Sequence, residues 1–584
     1  MHLLTAPGRT LQLQTFRKLL QPLIKKFKND AIFRFAVLFS ACFSAWLMFS
    51  TLTYANGSIV LRASMQGDFN GHIPLIRSFS YGNNWPLEYP GYTGVPMQYH
   101  FLFYFIAGAL ERLGIRIDIA LNLISSLGFF LLLMSIYTLS ISIFKKKAAG
   151  LLAIFMVIFN SSFSWIYYLT SWNLQLESID QIVLNKRFAA FGPFDDNIIS
   201  AFWNLNLYTN QRHAALALAL MFFCVWILAY SKRRAWHIAA FVCVLIMPFL
   251  NQAVLLPLFL TLALAVVGAG KQRREVFIRL IMAIIFVLPG LLLVSGGANI
   301  RFDPGYLYDR TSWHEIAVSN NLVRWLIYWF LNLGLLPFFA LAGFFLLKKL
   351  HFKNFPALLE QLCSRERVFF LSAVLIWLMA NLVMIPKDGM NNHKFVTFTV
   401  LVLNVYAAYA VYKIYQKQKF RLIAVLGFVI LILGGIFDFF PVINNKKVFW
   451  PDLPRDASAR WIVENTPGDA RFLALTYNNL SIATAGRKLF LSNHNLAFTI
   501  GYPINERMEY LRSIAAGKVG SGEICSFAKN EGLRYLALHK QEEKFLGTVI
   551  NQKFFTDNFV RIADTPEYLI YVIYDFKSSC VNLN

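Results

Sequence analysis

Charge is scarce in this chain: 15% of its 584 residues are Asp, Glu, Lys or Arg, against 57% that are apolar. That excludes a single water-soluble domain, because so much apolar surface has no interior large enough to hide it. Acids are scarcer still, 31 against 55 bases. In a soluble protein the resulting net charge of +24 would suggest nucleic acid. Here the bases fall in short clusters between apolar runs, which signals membrane topology and excludes a nucleic-acid footprint. Cysteine is rare as well, with six in all. Cys42, Cys224 and Cys243 lie in apolar runs and Cys363 in a basic loop, which leaves Cys525 and Cys580 near the C-terminus as either one disulfide or two free thiols. The last 140 or so residues also lack a nucleotide-binding glycine loop, a metal-ligand cluster and a nucleophile elbow. That segment therefore reads as a binding or capping module, with its lone His494 structural.

What the chain does have is a series of apolar runs near the ~20 residues a helix needs to cross about 30 Å of hydrocarbon. They are Ala31–Ala55, Asp118–Phe144, Leu151–Trp172, Ala214–Tyr230, Trp236–Leu250, Ala253–Gly268, Val276–Ser295, Leu322–Leu347, Val368–Ile385, Phe395–Tyr415 and Leu422–Phe440. Met97–Leu113 is set apart because it is short, aromatic and carries His100, Glu111 and Arg112, which suits a helix lying in the interface. Leaving it uncounted keeps six basic groups in the cytoplasm. These are the leader with Arg17, Lys18, Lys25, Lys26 and Lys28, then Lys145–Lys147, Lys232–Arg234, Lys271/Arg273/Arg274, Lys348/Lys349/Lys353 and Lys413/Lys417/Lys419/Arg421.

The expected fold is thus an all-α polytopic membrane domain of about eleven transmembrane helices followed by a small extracytoplasmic α/β domain. Residues 1–30 form a cytoplasmic basic leader, 31–442 the membrane domain and 443–584 the soluble domain. The first run starts behind the leader and is long enough to span, unlike a cleaved signal peptide. In the soluble domain the pattern predicts helices over Ala457–Thr466, Asn505–Ala516 and Gly522–Glu531, and strands over Arg471–Thr476, Lys488–Leu491, Leu533–His539 and Tyr568–Asp575.

Three external loops, 56–117, 173–213 and 386–394, carry polar residues that an inert anchor would not need. The first holds Asp68, Asn70, His72 and Arg77, then Tyr89-Pro90 and Gln98-Tyr99-His100. Asp68 and His72 are four residues apart, so one helical face would present both a carboxylate and an imidazole to a substrate. The second holds Asp180, Asp195-Asp196 and, at the mouth of the next helix, Gln211-Arg212-His213. An arginine there suits a lipid phosphate, or simply anchors the helix at the interface. The third, Lys387 to Lys394, contains Asn392 and His393 and places bases on the side where bases are sparse, which fits phosphate binding.

At these residues the chain resembles the GT-C superfamily of polytopic glycosyltransferases, the group containing protein mannosyltransferase-like and aminoarabinose-transferase-like enzymes. The resemblance covers nearly the whole chain. It rests on Gly67-Asp68 with His72, Tyr89-Pro90 through Leu113 as juxtamembrane segment, Tyr99-His100, Gln211-Arg212, Asn392-His393-Lys394-Phe395, and Trp461-Ile462-Val463 with Asn465-Thr466-Pro467. A loosely characterised bacterial branch is the nearest in pattern, which implies a bacterial inner membrane.

The resemblance implies transfer of a sugar from a polyprenyl-phosphate donor to a glycan, lipid or protein acceptor on the extracytoplasmic face, with no nucleic acid involved. Asp68 would be the general base, assisted by His72. Arg212, Lys394 and Arg77 would receive the donor phosphate. Tyr99, His100, Gln211, His213, Asn392 and His393 would contact substrate. Where the family usually has an acidic pair in the first loop, this sequence has Asp68 and Asn70. A divalent cation, Mg or Mn, would therefore need a second carboxylate from Glu88, Asp180, Asp195 or Asp196. Two rivals are a transporter or lipid-linked glycan flippase, which would call for charges deep in the spans, and a polysaccharide polymerase or ligase. The spans hold almost no such charges, with Arg34 and Arg279 near cytoplasmic ends.

Overall fold

A computed structural model describes residues 21, 25–166, 179–188, 202–294, 298–304, 321–347, 350–351, 354–386, 389–574 and 580. Every one of the eleven apolar runs contains helix. Six helices are long and apolar enough to cross a membrane: Ala31–Thr51 (α1), Ile117–Phe144, His213–Tyr230, Gly270–Val294, His393–Tyr415 and Gln418–Asn444. The run Leu322–Leu347 is not one straight span, because its two helices meet at 86°. Gly334 causes the bend: its φ of +57° ends the first helix in a conformation that residues with a Cβ rarely adopt. Pro337 then opens the second helix. The other four runs, Lys147–Ile158, Arg234–Leu250, Gln252–Val267 and Val368–Leu382, form apolar helices of 10–17 residues. Among the described residues six helices, or seven with the bent pair, thus pass as spans by length and composition, where the sequence led us to expect about eleven.

After α1 the chain makes a hairpin of β1 (Leu52–Ala55) and β2 (Ser58–Arg62). Its two-residue turn, Asn56-Gly57, has positive φ at both positions, as the twist of such hairpins demands. Next come helices α2 (Gln66–Ser80) and α3 (Leu102–Arg112), which pack on each other. Around these helices lie α4 (Leu205–Asn210) leading into α5 (His213–Tyr230), α6 (His393–Tyr415) and α7 (Arg421–Asn444). Helix α6 is the membrane core, with 94% of its apolar window buried.

Beyond α7, strand β3 (Lys447–Pro451) pairs antiparallel with β2, Leu61 opposite Val448. The C-terminal ends of α1 and α7 are therefore beside each other, tied by Arg62 donating to Asn445 O (3.1 Å) and Ser50 O (3.2 Å). The second loop reaches the same side, since the Asn444 and Asn445 amides donate to Val183 O and Lys186 O.

The C-terminal region is a five-stranded mixed sheet built from β4 (Arg471–Leu475), β5 (Lys488–Leu489), β6 (Leu533–His539), β7 (Val560–Asp564) and β8 (Tyr568–Val572), in spatial order β7-β8-β6-β4-β5. The sequence-predicted strands and helices appear within a few residues of their expected bounds, whereas β3 and β7 were not foreseen. Alternate residues of β4 face different cores. Phe472 and Ala474 join a small cluster with Ile462 and Tyr568, while Leu473 and Leu475 belong to the large core that continues into the first loop. Cys525 and Cys580 form a disulfide.

Candidate active site

The C-terminal region is fastened to the first loop along its length. Leu489 N donates to Pro90 O (2.7 Å), Ser492 N to Gly91 O (2.9 Å), Asn83 N to Gly468 O (2.9 Å) and Tyr92 Oη to Pro503 O (2.6 Å). Gln98 N donates to Tyr502 Oη (2.9 Å). Glu88 pairs with Arg471 and, at 3.4 Å, with Lys488 Nζ. Gly71 is a point of close approach, since a Cβ there would lie 2.4 Å from Leu496 Cδ2 and 2.8 Å from Tyr89 Oη. This docking fixes helix α2, and with it Asp68 and His72.

Four segments then converge. From α2 come Asp68 and His72; from the stretch before α3 come Tyr99 and His100; from the start of α5 comes His213; from the start of α6 comes Lys394. The His100 and His213 rings lie 4.1 Å apart, His72 stacks on Tyr104 at 4.6 Å, and Tyr99 lies 3.8 Å from His100. The Tyr99 and Tyr104 rings lie 6.5 Å apart, and Tyr104 Oη is 2.8 Å from His213 Nδ1. His72, His100 and His213 are buried, forming a floor. Asp68, Tyr99, Gln211 and Lys394 keep partial solvent contact, forming a rim.

The electrostatics follow from this enclosure. Burial pushes the Asp68 carboxyl above its ordinary range, and the Lys394 charge pulls part of the way back. Burial, reinforced by the charges of Arg212 and Lys394, holds His72 down at about 3, so its ring is neutral at physiological pH. His100 is driven well down by the same burial, with Lys394 and His72 adding to it. His72 and His100 are thus neutral imidazoles beside a carboxyl group whose affinity for a proton is raised.

Four residues expected to contact phosphate or substrate are instead engaged within the protein. Arg77, expected to receive phosphate, is 1% exposed and paired with Asp452 (2.8 Å) and Glu111 (3.3 Å), joining α2, α3 and the segment after β3. A guanidinium buried between two carboxylates is a brace. Arg212 is likewise 1% exposed and donates to Thr209 O, Asn122 Oδ1, Met48 O and Thr51 Oγ1, pinning the start of α5 to α1. Most of its N–H groups are bound within the protein, so it serves as a clamp whose charge acts at a distance. The Asn392 amide is bonded to the backbone at Ala380, Val383 and Ile385, bracing the end of helix Val368–Leu382. His393 is buried against Phe202, with ring centres 4.6 Å apart.

Of the acids considered as second carboxylates, Glu88 is held by Arg471 and Lys488, and Asp180 is exposed on the short helix Ile179–Val183. Asp195, Asp196 and Lys387 lie outside the described residues. Among the described residues no group of three or more His, Cys, Asp or Glu is arranged to hold a metal ion. Asp68 instead has Lys394 as a cationic neighbour. Among the described residues, Asp68 has no second carboxylate beside it to share a divalent cation.

Sequence reasoning missed Tyr104 and Asp438. Tyr104 lies four residues after His100, one helical turn on, inside a run read only as interfacial. Asp438, buried in α7, accepts from Asn204 Nδ2 at 2.9 Å and Ser164 Oγ at 3.4 Å. Asn204 also caps α4, its side chain accepting from Asn206 N (2.9 Å), so Asp438 fixes the helix that delivers Gln211, Arg212 and His213.

No protein-family model matches the sequence, and no curated protein matches it. Among solved structures, the fold is similar to ArnT from Cupriavidus metallidurans in the apo state, at 9% identity, covering 92% of this chain and 97% of that one, with a TM-score of 0.46. It is also similar to the archaeal oligosaccharyltransferase AglB from Archaeoglobus fulgidus in complex with an inhibitory peptide and a dolichol-phosphate, at 12% identity, covering 88% of this chain and 70% of that one, with a TM-score of 0.43. At such identities and scores neither neighbour's activity is carried over to this chain.

Proposed function

We propose that the chain is a membrane glycosyltransferase of the GT-C type that moves a sugar from a polyprenyl-phosphate donor to an acceptor on the face where the C-terminal region sits. The observation that carries this reading is the partly exposed Asp68 carboxylate beside Lys394, on a floor of neutral histidines and phenols. Asp68 takes the proton of an acceptor hydroxyl as that oxygen bonds to the anomeric carbon. The bond from that carbon to the phosphate oxygen breaks, and the polyprenyl phosphate leaves with the electron pair. Lys394 faces the charge growing on that phosphate. Tyr99, His72, His100 and His213 orient the reacting groups. With the docked C-terminal region above, the base is partly desolvated, which strengthens it.

The disulfide fits an oxidising compartment, which supports an extracytoplasmic C-terminal region and a cytoplasmic leader. The transporter reading has less support: the one intramembrane acid described above, Asp438, sits near the outer end of α7 and is hydrogen-bonded to Asn204 and Ser164. The test is transfer from radiolabelled polyprenyl-phosphate sugars in proteoliposomes. Asp68→Asn should lower turnover about 10²–10⁴-fold, the usual contribution of a general base, while donor binding persists. Undiminished transfer by Asp68→Asn would refute the assignment.

A further inference from the structure

Two stretches far apart in the chain share one pattern, Gln98-Tyr99-His100 and Gln211-Arg212-His213. The fold brings them together, with the two imidazoles 4.1 Å apart between ring centres. In each stretch the same two atoms, the glutamine Oε1 and the histidine Nε2, are buried with no hydrogen-bond partner in the protein. His100 is 7% exposed and His213 not at all. Native proteins leave few buried polar atoms orphaned, and each one calls for a reason. Four in matching positions, beside a rim that meets solvent, share one reason: a ligand that brings several hydroxyl groups.

The surroundings narrow the ligand further. Tyr99 lies 3.8 Å from His100, and Tyr89 6.2 Å from Tyr99. Aromatic rings of this kind suit the C–H face of a sugar ring. With the donor's phosphodiester bound, charge is balanced: Asp68 and the phosphate are two anions, and they face Lys394 and the Arg212 guanidinium, whose four acceptors in the protein are all uncharged. Among the described residues at this cluster no further charged group stands ready to neutralise a charged substituent, and burying an uncompensated charge is strongly unfavourable.

We infer that Gln98, His100, Gln211 and His213 form the hydroxyl-binding wall of a subsite for an uncharged sugar, which excludes amino sugars and uronic acids there. The inference rests on the glycosyl-transfer reading and names its substrate class. The sugar arrives either on the donor lipid or on the acceptor, with the same chemistry.

Binding to the full chain in nanodiscs tests it. The probes are polyprenyl phosphate alone, its glucose, galactose and mannose esters, its glucosamine and glucuronic acid esters, and the free methyl hexosides. At least one neutral hexose ester should bind tenfold or more tightly than both bare polyprenyl phosphate and the charged esters. The double variant Gln98→Met/Gln211→Met breaks none of the side-chain bonds described, and should lose that increment, as should His213→Phe. A free hexoside that binds, and is lost in the same variants, assigns the subsite to the acceptor sugar. A charged ester that binds best, or an increment that survives the double variant, overturns the inference. Failure of bare polyprenyl phosphate to bind at all counts instead against the transfer reading, so the two failures are distinguishable.

Discussion

Replacing Arg77 by Met separates a brace from a phosphate ligand. The guanidinium is 1% exposed, between Asp452 at 2.8 Å and Glu111 at 3.3 Å, and lies over the Tyr81 ring at 4.9 Å. None of its nitrogens has a well-aligned hydrogen bond to either carboxylate, so the contact is held by charge more than by bond direction. Removing it leaves two carboxylates buried and uncompensated, which typically costs about 3–5 kcal/mol. Protonation sets a ceiling. A carboxylate can escape by taking a proton, at about 1.4 kcal/mol per pH unit between its ordinary range near 4 and pH 7, roughly 4 kcal/mol. Burial already pushes Glu111 upward, so its share is smaller. We expect about 3 kcal/mol, or close to two orders of magnitude in the opening of the contact between first loop and C-terminal region. Hydrogen exchange at the paired β2 and β3 amides reads that opening directly. Exchange there should rise about 10²-fold at pH 7, and by less at lower pH, because burial makes Glu111 take up a proton more readily. Unchanged exchange together with a raised KM for the donor would refute the brace and restore Arg77 as a phosphate ligand.

Other expectations follow from the same geometry. The acid limb of kcat/KM should lie above the ordinary carboxylate range near 4, because the base must be ionised and burial raises Asp68. In Lys394→Gln the limb should move further up, since the cation that pulls the carboxyl down is gone; a limb that stays in place would contradict the pairing. His72, held at about 3, is neutral across that range and is not the group titrating. Gly71→Ala should lower the thermal midpoint through the clash with Leu496 and Tyr89, by about 1–3 kcal/mol, whereas Gly67→Ala, with nothing within 4 Å of its Cβ, should be neutral or stabilising. Cys525→Ser opens a loop of sequence separation 55 and should destabilise the C-terminal region by about 4 kcal/mol, measurable as a thermal shift that reductant reproduces in the parent protein.

How far the sequence reached depended on the range of the forces involved. Local order was legible: the Ala457–Asn465 helix follows from its apolar spacing and its Pro467-Gly468 stop, and β6 from an unbroken buried run. Asp68, His72, His100 and His213 were legible too, since polar residues flanking apolar runs stand out. Strand β3 was hidden because Lys447 and Val448 pair with a hairpin hundreds of residues earlier, and no local pattern records a partner. The roles of Arg77 and Arg212 were misread for the same reason: an arginine near a membrane surface looks like an anion site until its internal acceptors, Asp452 for one and Asn122 for the other, come into view. The break at Gly334 was written in the sequence, but an apolar run of the right length concealed it.

The pairing of Glu88 with Arg471 spans 383 residues. At about 5–20 residues per second of synthesis, the first loop emerges roughly 20–80 s before the strands that hold it exist. During that interval Asp68 has no roof, and the β2 edge that β3 will cover is open. Asp68 is therefore made early and the candidate site around it is completed late, so a truncated product carries this acid without the segments that enclose it.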